Sequence, residues 1–73
     1  MFITIGTEFY YADRNTKTAE KCVAVMVRSG YPSTIYAKKE SGETFTCYSD
    51  FGCFDNYEDA YKDAQIQEDR YIY

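Results

Sequence analysis

Between Asp55 and Tyr71 the chain carries its one strong helical repeat, while most of what precedes it reads at a period of two. Tyr57, Ala60, Tyr61 and Ala64 fall on one helical face, continued a turn and a half later by Glu68 and Tyr71. The two Ala let a helix axis approach a flat neighbour closely, and the Tyr reach out sideways. Asp55 followed three residues on by Glu58 has the form of a capping box, and acidic residues in a first turn suit the positive end of the helix dipole. A helix in this position must bury its face against something built from the residues before it.

Those residues read as a sheet. Phe2 to Ala12 is expected as a strand with Ile3, Ile5, Phe9 and Tyr11 on one side and a bulge at Gly6. Asp13-Arg14-Asn15-Thr16 has turn chemistry. Thr18 to Ser29 supports two patterns. Val23, Val25 and Val27 alternate as in a half-buried strand, yet Ala19, Cys22, Val23, Met26 and Val27 also keep helical spacing. Three β-branched residues in alternation favour the strand. After a turn at Gly30-Tyr31-Pro32-Ser33, Thr34 to Lys38 and Glu43 to Tyr48 form a hairpin, with Ile35, Ala37, Phe45 and Cys47 inward and Gly42 where the loop needs positive φ. Asp50 to Phe54 is expected as a loop whose two rings fold back as a lid. The fold class is therefore α+β: a small antiparallel sheet of three to four strands with the C-terminal helix packed on one face. The alternative, β-α-β-β-α, places a helix at about 18–29.

Seventy-three residues leave room for one domain, 1–73, with a thin core and no deep enclosed pocket. Nine Tyr and five Phe supply bulk to that core, and some of the Tyr are candidates for display at a contact. No apolar run approaches the roughly 18 residues needed to span a bilayer, and the N-terminus lacks the basic region of a signal peptide, so the expected address is the cytoplasm. Cys22, Cys47 and Cys53 are odd in number and do not form a secreted disulfide framework; they read as free thiols packing like small hydrophobes.

The sequence contains no His, which removes the commonest general base and the commonest transition-metal ligand. The Cys spacings do not match zinc ligands, the carboxylates do not match a calcium loop, and four scattered Gly make no phosphate cradle. No catalytic residue, metal or cofactor is expected. Charge is lopsided. Residues 1–49 carry six basic against five acidic side chains, and residues 50–73 carry two against seven. On a helical wheel Asp55, Asp59 and Asp63 stack at i,i+4 steps opposite the Tyr-Ala face, an arrangement that is repulsive in an isolated helix. Ile66 sits among them as an apolar knob, and the chain ends on Tyr71-Ile72-Tyr73.

The pattern points to a small, acidic, non-enzymatic binding protein. It would act as an inhibitor or modulator that covers a basic site, including a nucleic-acid-binding one, on a larger protein, in the manner of small phage or mobile-element proteins. Asp55, Asp59, Asp63 and Ile66 are the candidate contact residues, with Tyr71 and Tyr73 docking on the sheet or on another subunit. Carboxylates about 6 Å apart on a helix also resemble phosphate spacing, so nucleic-acid mimicry is compatible with the pattern. Two other readings are a homo-oligomerising module and a direct nucleic-acid binder. The latter would use Lys17, Lys21, Arg28, Lys38 and Lys39 with Tyr10, Tyr31 or Tyr36 stacking, and the net charge of −4 argues against it.

Overall fold

The computed structural model describes residues 1–66. It is α+β: strands β1 (Glu8–Asp13), β2 (Thr18–Arg28), β3 (Thr34–Lys39), β4 (Thr44–Tyr48) and β5 (Cys53–Phe54), followed by helix α1 (Tyr57–Ala64). All neighbouring strands pair antiparallel, in the order β4-β3-β2-β1-β5. The sheet thus has five strands where three to four were expected. The additional one is β5, which turns back from the Asp50–Gly52 loop to pair with β1 through Tyr10–Phe54 and Tyr11–Cys53. Residues 18–28 form the longest strand, so the helical alternative for this segment is excluded.

β2 does more than lengthen the sheet. Its register against β3 shifts between Ala24 and Met26, and an extra residue at such a point bends and twists a strand. The two edges of the sheet come round toward each other. Sγ of Cys47 on β4 lies 3.8 Å from Sγ of Cys53 on β5, and the Tyr11 and Phe45 rings stand 4.7 Å apart. The face enclosed by this curl holds Phe9, Cys22, Ala24, Ile35, Ala37 and Cys47, with Ile3 folded in beside them. Phe9 and Ile35 are fully buried, each contributing about 2 kcal/mol of apolar transfer.

The opposite face of the sheet receives α1. Ala60 and Ala64 are fully buried against Ala12, with Tyr10, Ala19 and Phe54 around them. Small side chains on both surfaces bring the helix axis close to β1 and β2, as the sequence spacing anticipates.

Three local expectations give way to the structure. Ile5 is 69% exposed while Ile3 is buried, because Gly6 has φ +92° and forms a turn ahead of β1 rather than a bulge within a strand. The β1–β2 turn itself is as expected: Asp13 accepts from the Asn15 and Thr16 amides, and Lys17 takes the left-handed position at φ 62°. Phe51 points outward, so it is no lid, and only Phe54 packs inward. The helix is capped by Asn56, not Asp55, and ends at Ala64 with Gln65 as C-cap. Glu68 and Tyr71, expected on its continued face, lie outside the described residues. Among the described residues no helix is long and apolar enough to cross a membrane.

Candidate functional site

The acidic side chains proposed for contact divide into two groups. At the N-terminus of α1, the Asn56 side-chain oxygen accepts from the Asp59 amide at 2.8 Å. Its amide nitrogen donates to the carboxylates of Asp55 and Asp59, at 2.9 and 3.0 Å. One Asn side chain therefore caps the helix and gathers two carboxylates on a single nitrogen. Asp55, Glu58 and Asp59 are all exposed there, at the end of the helix where the dipole favours negative charge.

Asp63 belongs elsewhere. Arg14 donates to it twice, from Nε at 3.3 Å and from a terminal nitrogen at 2.8 Å, and the carboxylate is only 19% exposed. Just beyond it the Gln65 side chain donates to the Lys17 carbonyl at 2.9 Å. Together these bonds fasten the C-terminal end of α1 to the β1–β2 turn. The i,i+4 repulsion suggested by the wheel does not arise: Asp55 precedes the helix, Asp59 is bonded to its cap, and Asp63 is paired with a cation. The Arg14–Asp63 pair also lines an open groove of about 570 Å³, together with Asp13, Asp50 and Phe51. Ile66 is half-buried past the C-cap rather than standing as a knob among carboxylates. Tyr71 and Tyr73 lie outside the described residues.

The feature that sequence reasoning left out of the named contact residues is the tyrosine pair of α1. Tyr57 and Tyr61 share a face with Ala60 and Ala64 on the wheel, yet they are 51% and 45% exposed. Their rings stack on each other with centroids 5.8 Å apart and planes 23° from parallel. Tyr10 of β1 meets Tyr57 edge-on at 6.0 Å and is itself half-buried. A signal was present: where Ala brings a helix axis down onto a sheet, a ring on the same side has no depth to enter and must lie along the flank. The result is a three-ring shelf whose outer surfaces are open, running into the exposed carboxylates of the first helical turn. An aromatic face of this kind attracts cations, and Arg most readily.

The basic residues considered for nucleic-acid contact are dispersed. Lys21 pairs with Glu8 at 3.4 Å, and Lys39 with Glu20 at 3.8 Å and Glu43 at 3.6 Å. Lys39 also stands over the Phe45 ring at 5.3 Å. Lys38 and Arg28 are exposed on the sheet and Lys17 on the β1–β2 turn, so no basic stripe forms among the described residues.

The three thiols are free and buried, as the sequence implied. Burial pushes the Cys22 thiol up to about 11. Cys47 and Cys53 share a hydrogen bond, which favours the thiolate on Cys53 against the cost of burial and raises Cys47. Among the described residues no cluster of three or more candidate ligands could hold a metal ion. No protein-family model matches the chain, and neither a curated protein nor a solved structure is similar to it at a significant level.

Proposed function

We propose that this protein is a small acidic binding protein, without catalytic activity of its own, that covers a basic and Arg-bearing surface on a larger protein partner. The observation that carries the reading is the juxtaposition on one end of α1. Exposed Asp55, Glu58 and Asp59 stand beside the open Tyr57–Tyr61 stack, backed by Tyr10. The carboxylates would steer and orient a cationic surface, and the rings would supply contact area at little conformational cost. Asp55 and Asp59 thus remain contact residues, joined by Glu58, Tyr57 and Tyr61. Asp63 acts through the fold, by holding α1 to the β1–β2 turn.

In this reading the protein works in the cytoplasm, where free thiols persist, as an inhibitor or modulator of the kind phages and mobile elements deploy. The carboxylates gathered around Asn56 suit a basic partner surface of the kind that binds a nucleic-acid strand. The test is a pull-down from lysate with the full chain as bait, eluted by a salt gradient, beside a bait carrying Tyr57→Ser and Tyr61→Ser. A basic protein that leaves the native bait at moderate salt and is not retained by the variant supports the reading. Equal retention on both baits, or recovery of the bait alone, counts against it.

A further inference from the structure

The curl of the sheet brings together two thiols from opposite edges. Cys47 is in the five-residue strand β4, Cys53 in the two-residue strand β5, and both face the enclosed core at 3% and 8% exposure. Their sulfurs are 3.8 Å apart and share a hydrogen bond, while the Cys53 Sγ also lies 3.4 Å from the Tyr48 carbonyl. From the sequence alone these residues are two unremarked small hydrophobes six positions apart. Only the pairing of β5 with β1 sets them face to face.

We propose that Cys47 and Cys53 form a reversible thiol–disulfide site, which joins β4 to β5 covalently when the protein meets a low-molecular-weight disulfide. The path follows from which strand can open. β5 is held by two residue pairs and preceded by Gly52, so it separates from the sheet far more readily than β4, which pairs along all five of its residues with β3. Opening exposes Cys53. Its thiolate attacks one sulfur of the small disulfide, forming a mixed disulfide and releasing one small thiol. On reclosing, the Cys47 sulfur attacks the Cys53 sulfur and expels the second small thiol. Two protein thiols and one small disulfide become one protein disulfide and two small thiols, with both protons carried away on the products.

In the closed state the two sulfurs are 3.8 Å apart, so Cys47 is within reach for the second attack as soon as β5 returns to the sheet. Cys22 is not part of the site. Its sulfur bonds to the Glu20 carbonyl at 3.3 Å, and burial holds it as a neutral thiol. The bond would close the seam of the curled sheet on the side away from α1, leaving the tyrosine shelf untouched. The site therefore stands whether or not the proposed binding function does.

The experiment is incubation of the folded full chain with oxidised glutathione, followed by acid quench, alkylation in denaturant and mass spectrometry. The expected result is a fall from three alkylated thiols to one, with Cys47 and Cys53 recovered in a single cross-linked peptide and full reversal by dithiothreitol. A Cys22→Ala variant is expected to give the same cross-link. A Cys47→Ser variant is expected to stop at the glutathione adduct on Cys53, which the native chain resolves. Three alkylated thiols after oxidation, a cross-link that includes Cys22, or bonds only between chains would overturn the proposal.

Discussion

Removing either partner of the Arg14–Asp63 pair is expected to loosen α1 from the sheet, and the size of the effect follows from its geometry. The two nitrogen–oxygen distances of 2.8 and 3.3 Å describe a forked, charge-assisted contact whose side chains are 30% and 19% exposed. At the shorter distance, with an effective dielectric of about 20, the gross attraction is roughly 6 kcal/mol. Most of that is cancelled by the water both groups have surrendered. A partly buried, two-bond pair should retain about 1–2 kcal/mol, above the usual surface value. Asp63→Asn should lower stability by about that amount and Arg14→Gln by at least as much, and the double variant by little more than Arg14→Gln alone, since the pair is lost in each. A domain of this size holds about 4–11 kcal/mol in all, so every variant stays folded. The assay is urea unfolding followed by circular dichroism near neutral pH. Additive losses, with a coupling below about 0.3 kcal/mol, would refute the structural role given to Asp63 and return it to the contact surface.

Other outcomes follow from the core and the backbone. Ile35→Ala, at a fully buried position in the middle of the sheet, should cost about 3–4 kcal/mol in the same assay, whereas Phe51→Ala, at 65% exposure, should cost under about 0.5 kcal/mol. Gly52→Ala should lose about 2–3 kcal/mol, because φ is +78° and the added carbon meets the Ala12 carbonyl and the Tyr11 ring at 3.3 Å. Gly6→Ala, at φ +92° but with open space around it, should lose only about 1 kcal/mol. Stability should also fall as pH rises from about 9 to 11. Burial raises the folded-state pKa of Cys22, so in that window the unfolded chain has released its thiol proton while the folded chain still holds it. Tyr11, raised chiefly by burial, acts in the same direction. Urea midpoints across this range test it: Cys22→Ala should flatten the slope, and an unchanged slope would show that Cys22 does not titrate on unfolding.

How much of this was legible depended on whether the signal was local. The β3–β4 hairpin was readable because Ile35, Ala37, Phe45 and Cys47 alternate cleanly around a loop with Gly42 at φ +99°, and all four face the core. β5 was not, since two residues cannot display a period, and its existence depends on β1 offering an edge. β2 was ambiguous for a physical reason. Its register shift changes the parity partway along, so Cys22 and Ala24 turn inward, then Val27, while Val25 stays exposed. The cap was misplaced by one residue because Asp55 and Asn56 are both good caps, and each has an acidic residue three positions on. The Arg14–Asp63 pair spans 49 positions and the Cys47–Cys53 contact joins opposite edges, so neither has a sequence signature. Lopsided charge was visible from the start, but which carboxylates were free to meet a partner depended on the tertiary fold.

The most direct test of the binding account is a hydrogen-exchange footprint of the native chain in complex with the protein recovered by salt elution. Slowed exchange is expected over residues 55–62 and the neighbouring part of β1 around Tyr10, with little change in the β3–β4 hairpin. Protection centred on β3 and β4, with the α1 shelf exchanging as in the free chain, would contradict it.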